Sequence, residues 1–114
     1  MLVNGGDIIE VPRIERISKQ YGSRFLNRIY TPLEISYCKG RAQQLASRFA
    51  GKEAMMKALG TGIRGIPWRD IEIIRERGKP PTIQLHRKAS KRAEDLEISS
   101  IALSLSHTKE YAIA

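Results

Sequence analysis

Arg48-Phe-Ala-Gly-Lys-Glu53-Ala-Met-Met-Lys57-Ala-Leu-Gly60-Thr-Gly62 is the stretch on which the fold turns. Ala, Leu, Met, Lys and Glu are strong helix formers, and Gly60 supplies the stop that a helix end favours. The pattern predicts one long helix from about Ala42 to Leu59 running into a glycine turn. Glu53 and Lys57 are i,i+4 neighbours on one face of that helix. Ala42, Ala46 and Ala50 stack on the same face and are small enough to admit another chain or a ligand. The Glu53/Lys57 pair reads two ways: as a solvated surface ion pair, or as a carboxylate and an amine placed for chemistry. Lys52 falls between Leu45, Phe49, Met56 and Leu59 on the helical wheel, so it is expected to snorkel over a core or an interface.

Upstream, residues 2–9 read as a short apolar strand broken by Asn4, two glycines and Asp7. Taken alone, Asp7 is a strand-end turn residue as readily as a ligand. Pro12 suits a first helical turn, and Ile14, Ile17 and Tyr21 follow at helical spacing as far as Gly22. Arg13, Arg16 and Lys19 project off that seam as a basic stripe. Ser23 can cap a short turn carrying Arg24, Phe25 and Arg28. Thr31-Pro32-Leu33-Glu34 combines a capping-box threonine, proline at the first helical position and glutamate two places later, and that helix should end near Gly40.

Downstream, Gly60 to Pro67 holds three glycines in eight residues and reads as a loop whose backbone can approach a ligand. Arg69 to Arg75 alternates as a strand, Gly78-Lys79-Pro80 turns, and Thr82 to Leu85 returns. Residues 87–95 form a basic helix. Ile101 to Ser106 alternates like a half-buried strand, His107 to Glu110 turns, and a short last strand follows. His107 thus sits at a strand end, whereas His86 lies in a separate strand beside Arg87 and Lys88. Strands and helices do not alternate as βαβ units would. The expected fold is α+β, a small antiparallel sheet packed on the long central helix, with residues 1–114 as one domain.

Twenty Lys and Arg against twelve Asp and Glu give a net charge of +8, which favours an anionic partner: nucleic acid, a phosphorylated cofactor, an acidic membrane or an acidic protein. A nucleic-acid-binding module should interleave exposed aromatics with lysines or carry an arginine-rich recognition helix. The chain has one Trp, four Tyr and two Phe, and Tyr21, Phe25, Tyr30, Phe49 and Trp68 mostly fall in apolar settings. The single Cys38 excludes an internal disulfide and fits a reducing compartment. It reads as a small packed residue, not a nucleophile, since no His or Asn lies nearby in the chain. Neither a membrane-spanning apolar run nor a signal sequence is visible, so a soluble cytoplasmic protein is expected.

Taken in order, Gly5-Gly6-Asp7-Ile8, Arg24-Phe25, Phe49-Ala-Gly-Lys-Glu53-Ala-Met-Met-Lys57-Ala-Leu-Gly60-Thr-Gly62, Asp70-Ile-Glu-Ile73, Gly78-Lys-Pro80 and Ser104-Leu-Ser106-His107 resemble the holo-[acyl-carrier-protein] synthases, the short class of 4′-phosphopantetheinyl transferases. The helix block is the specific one, and the ordered blocks span nearly the whole chain. The resemblance implies Mg²⁺-dependent transfer of phosphopantetheine from coenzyme A to a serine of an acyl carrier protein, in support of fatty acid biosynthesis. It assigns Asp7 and Glu53 to the metal and Asp7, Glu53 and Lys57 to catalysis. It assigns Arg48, Lys57, Gly60, Thr61, Gly62, Ser106 and His107 to coenzyme A, and Arg13, Arg16, Arg24 and Phe25 to docking of the carrier protein.

It further implies a homotrimer with sites between subunits, acting on neither nucleic acid nor membrane. A carrier-protein binder of the same fold without activity would lack the metal acids, and Asp7, Glu53 and Lys57 are all present. The chain departs from the family pattern in three places. Gly6 stands where relatives often carry a larger residue, Met56 where some carry Ser, and Ala114 falls in what should be the middle of the final strand.

Overall fold

In the computed structural model, which describes residues 2–114, the central helix runs over Ala42–Leu59 as expected. In chain order the elements are β1 (Ile8–Glu10), α1 (Val11–Tyr21), α2 (Ser23–Ile29), α3 (Pro32–Cys38), α4 (Ala42–Leu59), α5 (Gly62–Gly65), a single 3₁₀ turn (Trp68–Asp70), β2 (Ile71–Ile74), β3 (Thr82–Leu85), α6 (Arg87–Asp95), β4 (Ser106–His107) and β5 (Tyr111–Ile113). The α+β class and antiparallel pairing are those expected. The strands, however, form two sheets instead of one: a three-stranded sheet in the order β1-β5-β4, and the hairpin β2-β3.

Helix α4 joins the two sheets, packing on α1, β1 and β5 and also on β2 and α6. It accordingly contributes to both apolar clusters. Leu45, Ala46 and Ala50 meet Ile9, Val11, Ile14 and Ala112, while Met55, Met56 and Leu59 meet Ile66, Ile71, Ala89 and Ala93. Packed from several sides, α4 buries polar residues as well as apolar ones: Ser47, Arg48 and Lys52 lie inside along with its Leu, Met and most of its Ala side chains. Ala46 and Ala50 are fully buried, so the alanine face expected to admit a ligand or second chain is filled by this chain's own β1, α1 and β5.

The capping box at Thr31 is present, with Thr31 Oγ1 accepting from the Glu34 N–H and the Glu34 carboxylate accepting from the Thr31 N–H. Its glutamate does more. Glu34 is buried, accepts from the Ile73 N–H at 2.8 Å, and pairs at 2.7 Å with Lys52, whose side chain is wholly inaccessible. Lys52 therefore does not snorkel. Helical spacing showed its apolar neighbours but not the carboxylate that α3 brings to it. Burial pulls the Lys52 ammonium down from its ordinary value, against the charge and hydrogen bond of Glu34.

Other boundaries differ from expectation because strands need partners. Residues 2–7 lie outside β1: Asp7 pairs with Ala114, and residues 2–6 find no backbone partner among the described residues. Likewise only Ser106 and His107 of the alternating C-terminal stretch lie opposite β5, at Ile113 and Ala112, and residues 101–105 form no strand. Ser23–Ile29 is a helix where a turn was expected, Gly62–Gly65 adds one helical turn inside the glycine loop, and Arg69 belongs to the 3₁₀ turn ahead of β2. Tyr21 is half exposed and not in an apolar setting.

Candidate functional site

Asp7 is fixed at the head of β1, its N–H and carbonyl each paired with Ala114 at 3.0 Å. Two residues earlier, a Cβ on Gly5 would fall 2.0 Å from the Ala54 carbonyl oxygen. Only glycine lets the chain lie this close on α4, and the approach brings Asp7 against Glu53 and Lys57. Lys57 Nζ donates to Asp7 Oδ1 at 2.8 Å and to the Gly6 carbonyl at 3.1 Å. The i,i+4 ion pair anticipated between Glu53 and Lys57 is replaced by this bond across elements.

The consequence falls on Glu53. Burial, then the Asp7 carboxylate beside it, push its carboxyl up to about 7, opposed by Lys57 and Arg13. Asp7 in turn raises the Lys57 ammonium above its ordinary value, so Lys57 stays charged and suits electrostatic stabilisation over proton abstraction. Asp7 Oδ2 is buried with no hydrogen-bond partner among the described residues.

A free carboxylate oxygen beside a second acid is the donor set of a hard divalent cation. Among the described residues no group of three or more His, Cys, Asp or Glu could hold a metal, so Asp7 and Glu53 would be its only side-chain ligands. That sparse set fits Mg²⁺, which keeps waters and binds through one or two carboxylates plus phosphate oxygens.

Gly60, Thr61 and Gly62 follow one turn beyond Lys57. Gly60 holds φ of 72° as the left-handed stop of α4, its N–H bonding Lys57 O while the Thr61 N–H reaches Met56 O. Thr61 Oγ1 is buried and has no partner among the described residues. Ser106 and His107 are exposed on β4, separated from β1 by β5. Two strand spacings put them about 10 Å from β1, on the same sheet as Asp7 but not in contact with the acids.

Arg48, expected to reach coenzyme A, is instead 3% exposed. It donates to Gln44 Oε1 at 2.7 Å and Ser47 Oγ at 3.0 Å, with its guanidinium 4.5 Å from the Tyr37 ring centre. A direct phosphate contact would require those bonds to open.

Arg13, Arg16 and Arg24 are exposed, and Arg13 lies near enough to act on Glu53, joining the basic stripe to the acid site. Phe25 is only partly exposed, packing edge-on against Tyr30 at 5.9 Å. Cys38 is buried and its thiol is pushed up to about 11, chiefly by burial, which leaves it inert.

Sequence reasoning missed three polar links, one at the end of α4 and two around β2. Arg92 on α6 donates to the Leu59 carbonyl at 3.0 Å and so holds the end of α4 beside Gly60. Buried Asp70 accepts from the Lys88 N–H at the start of α6 and from Arg87. His86 pairs with Glu72 at 3.0 Å, and Glu72 accepts from Thr31 Oγ1. Only the recurrence of Asp70-Ile-Glu-Ile73 as a motif hinted at any of them; their partners are distant in sequence.

Residues 5–114 match the family model of the 4′-phosphopantetheinyl transferase superfamily, and the chain belongs to that superfamily. Holo-[acyl-carrier-protein] synthases of Koribacter versatilis and Moorella thermoacetica are 50% and 48% identical to it, over 100% of this chain and 94% and 91% of theirs. The Helicobacter pylori enzyme of that name, crystallised with coenzyme A, superposes with a TM-score of 0.87 at 35% identity, covering 96% of this chain and 94% of that one. The Neisseria meningitidis enzyme gives 0.87 at 36% identity, covering 97% and 92%. Within the superfamily these similarities place the chain among the holo-[acyl-carrier-protein] synthases, a family of enzymes.

Proposed function

We propose that residues 1–114 act as one catalytic unit that transfers 4′-phosphopantetheine from coenzyme A to a serine of an apo-acyl carrier protein, releasing adenosine 3′,5′-bisphosphate. The observation that carries this reading is the convergence of Asp7, Glu53 and Lys57 from two segments, with one Asp7 oxygen unpaired among the described residues. The serine hydroxyl attacks the phosphorus bearing pantetheine, and the bond from that phosphorus to the bisphosphate breaks. Positioning and charge neutralisation do most of such work. Asp7 and Glu53 would hold Mg²⁺, which when bound offsets the charge of the pyrophosphate. Lys57 keeps its proton and stabilises charge on the transferring group, and a water held by the carboxylates takes the serine proton.

Gly60, Thr61, Gly62, Ser106 and His107 are assigned to coenzyme A, and Arg13, Arg16 and Arg24, with the exposed part of Phe25, to the acidic carrier. Ile8, Tyr111 and Ile113 are about half exposed on the open face of the β1-β5-β4 sheet. That apolar face supports a homotrimer in which a neighbouring subunit completes each coenzyme A cleft; a fully active monomer in sedimentation would contradict it. No helix among the described residues is long and apolar enough to cross a membrane, in keeping with a cytoplasmic role in fatty acid biosynthesis. The nucleic-acid reading rests on net charge alone and is not favoured. Chromatographic detection of adenosine 3′,5′-bisphosphate from coenzyme A, dependent on apo carrier and Mg²⁺, tests the reaction; absence of nucleotide release ends it.

A further inference from the structure

The transfer chemistry leaves one buried charge pair unused, and it sits in the residue next to Glu53. All three protons of the Lys52 ammonium have acceptors, each from a different element. They are Glu34 Oε1 on α3 at 2.7 Å, the Trp68 carbonyl of the 3₁₀ turn at 3.2 Å, and the Ile71 carbonyl at the head of β2. The acceptors are themselves held. Glu34 accepts from the Thr31 and Ile73 N–H groups at 2.8 Å each, and the Tyr30 ring lies 5.9 Å from the ammonium.

We propose that Lys52, through Glu34, is a positioning residue that sets the rotation and height of α4 so that Glu53 and Lys57 meet Asp7. The proposal rests on the functional reading above. Stability alone does not call for a charge here, because apolar residues of similar volume in place of a buried ion pair are often neutral or stabilising. An apolar side chain, though, tolerates a helix that slides or turns slightly. An ammonium with three acceptors fixed on three elements does not. A turn of about 10° moves a side-chain tip 5–6 Å off the helix axis by about 1 Å, and a misplacement of that size costs on the order of 10²-fold in rate. From the other side, the tight passage of Gly5 over Ala54 fixes Asp7, so the helix is clamped between the two.

The test uses three variants, Glu34→Gln, Lys52→Met and the double substitution, each assayed at a temperature where circular dichroism shows it folded. The expected result for Glu34→Gln is a fall in kcat of about 10–100-fold with the KM for coenzyme A within about twofold of wild type. A folded Glu34→Gln enzyme with wild-type kcat overturns the proposal. Lys52→Met leaves a buried carboxylate unpaired and is expected to lower Tm sharply. The double variant removes both charges, so its Tm should recover while kcat stays low; recovery of both would show a purely structural role and overturn positioning. Should the wild-type protein itself fail to transfer, the functional reading falls separately. Positioning is then decided by the crystal structure of Glu34→Gln, supported if the 2.8 Å Lys57–Asp7 contact is broken and refuted if it is kept.

Discussion

Lys57 donates to Asp7, 2.8 Å away on a different segment, and not to Glu53 one turn back on its own helix. That choice of partner ties the head of β1 to the middle of the chain. It also leaves Glu53 facing another acid without a full countercharge, which is the electrostatic condition a cation relieves. The two carboxyls and the ammonium form one unit.

Removing any member should therefore be costly to catalysis. Asp7→Ala and Glu53→Ala are each expected to lower transfer at least a hundredfold, about what losing one strong electrostatic stabiliser costs, and chelation of the metal should do the same. Steady-state assays with coenzyme A and apo carrier check this. Near-normal turnover in either variant would refute the metal assignment.

The Glu53 carboxyl, held up to about 7 against an ordinary value of 4.5, makes stability pH-dependent. Between those values the folded chain keeps a proton that the unfolded chain has released. The contribution is present at pH 4.5 and below and is lost as pH rises through 7. The metal-free protein should accordingly lose Tm from pH 5 to 8, the loss should be smaller in Glu53→Gln, and Mg²⁺ should restore part of it at pH 8. Thermal melts across that range decide it; identical slopes for both proteins would show that Glu53 is not the group responsible.

Adjacent glycines ahead of Asp7 should behave differently. A methyl on Gly5 meets helix backbone at 2.0 Å, whereas one on Gly6 finds its nearest neighbour, Ala114 O, at 3.6 Å. Gly5→Ala is expected to destabilise the fold by about 1–3 kcal/mol and to depress transfer by shifting Asp7. Gly6→Ala should do little to stability. Urea titrations of the pair give the comparison, and equal midpoints would contradict the close approach.

Much of this was legible in the residues, and the exceptions share a cause. The limits of α4, the capping box at Thr31, the β2-β3 hairpin and helix α6 follow from local pattern, and the structure reproduces them. Asp7, Glu53 and Lys57 could be named because their motif is specific. Their pairing could not, since spacing along a helix favours Glu53–Lys57 while the observed partner lies 50 residues away. Lys52 was misjudged, and the packing of Arg48 on Tyr37 not foreseen, for a related reason: a helical wheel shows what surrounds a side chain on its own helix, not the carboxylate or ring another element brings. The C-terminal strand was drawn too long because alternation marks an extended chain, whereas a strand also needs a partner opposite.

Charge on α1 and α2 should act through encounter. Neutralising Arg13, Arg16 and Arg24 together is expected to raise the carrier-protein KM while leaving the coenzyme A KM nearly unchanged. The difference from wild type should fade with salt, as exposed charges are screened over about 8 Å at physiological ionic strength. Phe25→Ala should weaken docking with less salt dependence. It also removes the contact with Tyr30, so its Tm should fall slightly. A triple variant that keeps its carrier KM yet loses oligonucleotide binding would move the basic surface to nucleic acid.

The most direct measurement is the intact mass of an apo-acyl carrier protein after incubation with this protein, coenzyme A and Mg²⁺. The expected result is a gain of one phosphopantetheinyl group on a single serine, absent with chelator and absent with Asp7→Ala. A carrier protein of unchanged mass in the presence of folded wild-type protein and metal, or one modified equally by Asp7→Ala, would contradict the assignment of this site.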